Sequence, residues 1–330
     1  MRKLLISLIL FCLVFYDGCK KNDNPIEPSY SNMWTRTTDS ATYVNNFIIS
    51  GSNIFAGTEG QGLLVSTNNG ISWIACKGSP KQISCLVENG TSLFVGTEGS
   101  GVFLSNNNGA SWTQVNSGLT NKFVNALVIS GTNLFAGTYG GLYGTVGGGI
   151  YLSTDKGMSW TMVDSGLTDT QINALAVSGT NIFAGTATAG VFLSTNNGTS
   201  WTPSNNGITS YNWGINAFSV NDSEVYVSAV GYGIFLSTNN GTSWSAFNLS
   251  YNPINTIAAG GNLYTWSSKG VYMSSDGGNI WNQFNSGLGD TLISVVAVSG
   301  ANLLAGNFAG TYPRIYHGQL PVGGIWRCTF

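Results

Sequence analysis

Few side chains in this 330-residue sequence suit acid–base or nucleophilic chemistry. It holds 14 carboxylates, 12 basic residues, five cysteines and one histidine, His317. A lone imidazole excludes two-histidine zinc motifs and any multi-histidine metal site. No G-x-S-x-G elbow or phosphate-binding glycine loop occurs, so the glycine runs read as turns. Two carboxylates stand out by placement. Glu59 in "GTEGQG" and Glu98 in "GTEGSG" occupy the same position in successive copies of one phrase. Facing carboxylates across a cleft are what glycoside hydrolysis needs, although loop glutamates are ordinarily solvated charges. Asp39, Asp164, Asp169 and Asp290 stand in connections between repeats. No catalytic residue, metal site or cofactor is expected from this set.

The other chemistry on offer is stacking. Tyr139, Tyr143, Tyr211, Trp213, Tyr232, Trp266, Tyr312 and Tyr316 gather in irregular stretches, and Arg314 lies beside the last two. Rings with little charge between them suit the face of a sugar or another protein. The alternative is that several merely roof an internal channel.

These residues need a scaffold. Apolar residues make up 42% of the chain, enough for a large core, whereas charged residues are only 8%, roughly a third of the usual share. Outside the extreme N-terminus no window shows helical composition and a 3.6-residue period. The chain reads as all-β.

An eight-residue phrase recurs. "STNNGTSW" stands at Ser194 and Ser237, with looser copies at Ser66, Ser105, Ser153 and Ser274. The spacings are 39, 48, 41, 43 and 37 residues, a period typical of repeat architectures. A second phrase, of the "GTNIFAGT" type, precedes each box and occurs a seventh time as "GANLLAGN" at Gly300. One unit supplies four strands: "FVNALVIS" from Phe123, "NLFAGT", "GIYLS" from Gly149, and "SWTMV" from Ser159. Four antiparallel strands in about 40 residues make a β-propeller blade.

Each fixed letter of the box has a physical reason. The first and third residues are Ser66 and Asn68, Ser105 and Asn107, Ser153 and Asp155, Ser194 and Asn196, Ser237 and Asn239, and Ser274 and Asp276. The third is expected to accept hydrogen bonds from N–H groups two residues on. Gly70, Gly109, Gly157, Gly198, Gly241 and Gly278 permit a positive φ. Trp73, Trp112, Trp160, Trp201, Trp244 and Trp281 begin the last strand and can bury a large ring between neighbouring sheets.

These letters resemble the Asp-box, or bacterial neuraminidase repeat, S-x-D-x-G-x-x-W, over Trp34 to Phe330. Only Asp155 and Asp276 keep its aspartate. The resemblance implies a seven-bladed propeller, in general build similar to sortilin, xyloglucanase and photosystem II assembly-factor propellers. Sialidases with this box clamp a carboxylate with three arginines, because arginine pairs with anions bidentately. Here only Arg36, Arg314 and Arg327 follow the N-terminal segment, and Arg36 and Arg327 align within strands of the last blade.

That blade lacks a box. "GGIWRCTF" at the C-terminus aligns with "AGVFLSTN", placing Cys328 in the serine slot, and "MWTRTTDS" at Met33 aligns with a fourth strand. The last blade is expected to take three strands from the C-terminus and one from the N-terminus, which removes the free edges. Uniform turns and boxes then occupy one face. Varied loops between the second and third strands occupy the other, and two are enlarged, in blade three and blade seven. A rigid scaffold with variation on one face suits a binding surface.

The first 18 residues, a basic start followed by an apolar run from Leu4 to Phe15, read as a signal peptide too short to span a bilayer. Gly18-Cys19 resembles a bacterial lipoprotein cleavage site, which implies a lipid on Cys19, a tether over 19–32 and a propeller over 33–330. Ordinary secretion and a retained anchor are the alternatives. Membrane contact is expected only through that lipid, at the cell envelope. No basic stripe exists, so nucleic acid is not an expected partner. The expected role is a monomeric, non-enzymatic scaffold that binds a protein or peptide. A glycan ligand, or hydrolysis of glycans in the manner of a xyloglucanase, is the alternative. Cys76 and Cys85 are placed to pair or to remain small buried residues.

Overall fold

A computed structural model describes residues 33–38, 42–140, 147–208, 214–229, 231–247, 255–259, 261–289, 291–307 and 323–329. Among them are seven four-stranded antiparallel sheets and no helix. The chain is an all-β, seven-bladed propeller. In blade three the strands are Val124–Ser130, Asn133–Thr138, Gly149–Ser153 and Thr161–Met162, innermost to outermost. The second strand is buried on both sides, which is why Leu134, Phe135 and Ala136 at its centre are apolar.

Six inner strands carry a bulge after their first residue. The bulged position always holds Asn or Ser. Asn45 Nδ2 donates to Ile83 O at 3.0 Å, Asn125 Nδ2 to Ile172 O at 3.4 Å, and Ser294 Oγ to Val44 O at 2.5 Å. Ser84 Oγ likewise donates to Val124 O. Each bond runs from one blade to the next, and Ser294 carries the device across the closure. A bulge re-aims a side chain out of the pleat, so these polar groups reach a neighbouring carbonyl that would otherwise lack a partner.

The boxes are hairpin turns between third and fourth strands, with a finer geometry than expected. The serine hydroxyl accepts the N–H of the fifth residue, as Gly198 N to Ser194 Oγ at 2.9 Å. The third residue accepts the N–H four residues on, not two, as Ser200 N to Asn196 Oδ1 at 3.0 Å. The fourth residue, and not only the glycine, has positive φ: Asn69, Asn108, Lys156, Asn197 and Asn240 lie between 54° and 59°.

The expectation that every box tryptophan bridges two sheets holds for only part of the ring. Trp160, Trp201 and Trp244 are buried, and their indoles donate to Val115 O, Val163 O and Ser204 O of the preceding blade at 2.7–2.9 Å. Trp34, at the same place in blade seven, donates to Phe284 O at 2.6 Å. Trp112 and Trp281 are half-buried and fold back onto Gly109 O and Gly278 O of their own turns.

A motif in the blade connections accounts for the difference. "NSGL" at Asn116, "DSGL" at Asp164, "NNGI" at Asn205 and "NSGL" at Asn285 end the blades that receive the four inserted rings. Their second residues accept the backbone N–H of Trp160, Trp201, Trp244 and Trp34 at 2.8–2.9 Å. A Cβ on Gly118, Gly166 or Gly207 would collide with the tryptophan carbonyl, so only glycine allows the approach. Asn116, Asn205 and Asn285 also accept an N–H from their own third strand.

The ring closes as expected from the sequence. Thr35–Arg36 pairs with Ile325–Thr329 in the order Thr35↔Arg327 and Arg36↔Trp326, completing the blade of Ile293–Ser299 and Asn302–Asn307. Cys328 lies opposite Leu303, the register of a box serine, and is buried. Arg36 donates to Gly323 O at 2.7 Å and lies 5.6 Å over the Trp326 ring, and Arg327 Nε donates to Asn69 O at 2.8 Å. Both guanidiniums therefore serve closure. Cys76 and Cys85 are free thiols, with burial pushing Cys85 up to about 12.

Candidate functional site

The loop face gathers its chemistry where the inner strands of blades one to three begin. The residue after each second strand bonds back to the residue before its inner strand: Glu59 N to Tyr43 O, Glu98 N to Gln82 O and Tyr139 N to Phe123 O, each at 3.1 Å. Equivalent positions of successive blades thus stand side by side around the axis. Glu59 is half-buried and Glu98 exposed. Burial first, and the neighbouring Glu98 charge second, raise the Glu59 carboxyl above its ordinary value.

Beside the glutamates lies an aromatic pair. The Phe123 and Tyr139 rings meet edge-on, 5.6 Å apart at 71°. Glu98 bridges to Phe123 through the backbone, and Gly99 N donates to Lys122 O at 3.1 Å. Asn121, buried, fixes the pair: its Nδ2 donates to Tyr139 O and Gly147 O and its Oδ1 accepts Phe123 N, all at 2.9 Å. Gln82 holds φ 56°, the only residue among the described positive-φ non-glycines outside a turn or box. A non-Asn side chain held there is strained.

Of the aromatic residues singled out in the sequence, Tyr139 joins this patch. Tyr232 is 45% exposed, on the loop of blade five. Trp266 is a correction. It is buried, with Nε1 donating to Ser294 O at 3.0 Å in the seam between blades six and seven. Gly57, Gly96, Gly137, Gly185 and Gly306 hold the same slot in other blades, each pressed against the next inner strand. In blade six a ring fills the gap that backbone approach closes elsewhere, so Trp266 offers no surface to a ligand. Tyr143, Tyr211, Trp213, Tyr312, Arg314, Tyr316, His317 and Cys19 lie outside the described residues.

Gln82, Phe123 and Asn121 were not singled out from the sequence. The signal for Phe123 was its position, directly before an inner strand, which Tyr43 and Gln82 share. Nothing in the sequence marks the Gln82 backbone. Asp164 and Asp169, read as link acids, are turn residues: Asp164 O accepts Leu167 N, and Asp169 accepts Gln171 N and Thr188 N. No group of three or more metal-ligating side chains occurs among the described residues.

No family model and no curated protein matches the chain. Solved structures do resemble it. The extracellular domain of the putative hybrid two component system BT4673 from B. thetaiotaomicron superposes with a TM-score of 0.71 at 16% identity, covering 91% of this chain and 40% of that one. The Niastella koreensis GH74 enzyme gives 0.63 at 22% identity, covering 87% and 43%. YCF48 bound to D1 peptide gives 0.66 at 14% identity, covering 90% and 95%. The chain thus spans about two fifths of the first two proteins and nearly all of the third. At such identities the likeness is one of fold.

Proposed function

We propose that this chain is an exported propeller that binds a protein or peptide on its loop face, over blades one to three. The observation that carries the reading is the Phe123–Tyr139 pair, locked by buried Asn121 beside Glu59 and Glu98. Rigid rings flanked by a few charges are what protein-binding anchors consist of. A propeller of similar length and fold, YCF48, holds a peptide. In this reading Cys19 carries a lipid, residues 19–32 form a tether, and the propeller acts as a monomer outside the cytoplasm, needing no cofactor. A photo-crosslinking phenylalanine at Tyr139 should give a discrete adduct in intact cells, and one at Ile71 on the box face should give none. Equal labelling from the two faces would sink the proposal.

One observation favours a second reading, a glycan-cleaving or glycan-binding propeller. Burial and the Glu98 charge shift the Glu59 carboxyl upward, the direction that the acid of a glycosidase pair requires. Xyloglucan and β-glucan hydrolysis by the purified chain, abolished by Glu59→Gln or Glu98→Gln, would establish it. The scaffold reading expects no hydrolysis at all.

A further inference from the structure

Asparagine followed by glycine is prone to lose its side-chain amide, because glycine has no Cβ to shield its own nitrogen. Such pairs begin at Asn69, Asn89, Asn108, Asn197, Asn206 and Asn240, all among the described residues. In the reaction the glycine nitrogen attacks the asparagine Cγ. The new N–Cγ bond closes a succinimide ring as the Cγ–Nδ2 bond breaks and ammonia leaves. Water then opens the ring, at Cγ to give aspartate or at the main-chain carbonyl to give isoaspartate. The nitrogen must therefore be free and able to swing beneath the side chain.

Four pairs stand in boxes, where the attacking nitrogen is engaged. Gly70 N, Gly109 N, Gly198 N and Gly241 N each donate to the box serine hydroxyl at 2.8–2.9 Å. Their asparagines have φ between 54° and 58°. In that left-handed conformation the glycine nitrogen points away from the asparagine Cβ. Asn206 lies in one of the connection motifs that clasp an inserted tryptophan. Its carbonyl, in the same peptide unit as Gly207 N, accepts Trp244 N at 2.8 Å, and Gly207 is pressed onto the Trp244 carbonyl. That peptide unit cannot turn without releasing the tryptophan.

Asn89 has neither restraint. It ends the inner strand Ile83–Asn89 of blade two and pairs with Ser92 across the two-residue turn of Gly90 and Thr91. Asn89 and Gly90 are exposed, and a Cβ on Gly90 would meet nothing within 4 Å. Neither the Asn89 side chain nor Gly90 N forms a hydrogen bond among the described residues.

We propose that Asn89 is the deamidation site of the folded chain, and that the box serines protect the other exposed turns. The product places a new carboxylate next to Glu88, whose Oε2 is buried without a hydrogen-bond partner. Ile49, Ile129, Val177, Val220 and Val298 hold the Glu88 register in other blades, so paired acids at this turn would be peculiar to blade two. The isoaspartyl form also adds a methylene to the main chain at the turn.

The test compares folded and urea-unfolded chain, incubated side by side in mildly alkaline buffer and mapped peptide by peptide with mass spectrometry. Unfolded, all of these asparagines should convert at similar rates, because only local sequence then acts. Folded, Asn89 should convert at least about tenfold faster than Asn197, Asn206 or Asn240, the factor that one hydrogen bond held on the attacking nitrogen supplies. Asn89→Gln, at an exposed turn, should keep the wild-type melting temperature and abolish the acidic form that accumulates on anion exchange. Any smaller ratio in the folded chain, or an acidic form that persists in Asn89→Gln, would overturn the proposal.

Discussion

A serine hydroxyl and one amide or carboxylate oxygen set the shape of each box. Asparagine and aspartate place that oxygen alike, since Ser159 N reaches Asp155 Oδ1 at 2.9 Å much as Ser200 N reaches Asn196. The charge adds pH dependence. Ser159, through its hydroxyl and then its N–H, lowers Asp155 from the usual 3.8 to about 2. A depressed carboxylate contributes its stability above 3.8, and that contribution fades as pH falls towards 2. In acid titrations, Asp155→Asn should lose less stability than the wild type over that window, and by a small margin because the group is exposed to solvent. The same turn holds Lys156 at φ 59°, where four other boxes have asparagine. Asparagine tolerates that conformation better. Lys156→Asn should therefore raise unfolding free energy by about 0.5–1 kcal/mol in urea.

Clasp and box act together at the scale of the strand and its connection. Trp201 is 2% exposed and gripped by Ser165 and Val163, so Trp201→Ala should cost about 3–5 kcal/mol, as core aromatic truncations do. Trp112 lacks a clasp, and Trp112→Ala should cost less than half as much. Equal losses by chemical denaturation would show that the clasp does not hold the ring. The sequence displayed the box plainly because six copies lie in register, whereas the clasp was hidden by where it occurs. It stands in connections that differ in length and sequence, in four of the seven, and its meaning depends on a contact with a tryptophan of the neighbouring blade, far along the chain. Trp266 misled for a related reason. An aromatic residue at the end of a strand phrase looks like a loop ring unless one knows that glycines fill that slot to admit the next blade.

At the scale of the whole ring, blade number, strand content and closure were all legible, because a seventh strand phrase without a box and a box-like start without a blade fit only one assembly. The candidate site was legible in part. Glu59 and Glu98 could be matched by phrase, but the Phe123–Tyr139 contact joins a connection to a loop of the same blade, and no periodicity encodes it. Closure rests on a short strand. A chain beginning at residue 41 should melt well below one beginning at residue 32, since losing Thr35–Arg36 exposes the edge of Ile325–Thr329 and removes Trp34 from its pocket. Similar melting curves for the two would refute closure by the N-terminal strand. The same pairing also imposes a schedule. Thr35 leaves the ribosome nearly 300 residues before its partner Arg327. At about 5–20 residues per second it waits some 15–60 seconds. Early blades can form during that interval from their own neighbouring strands, yet the last one cannot. Ring completion is therefore the final and slowest event of biogenesis, dominated by one contact of extreme sequence separation. Until then Thr35–Arg36 has no strand to pair with, so a chaperone that guards the newly made protein has its longest task at that early strand.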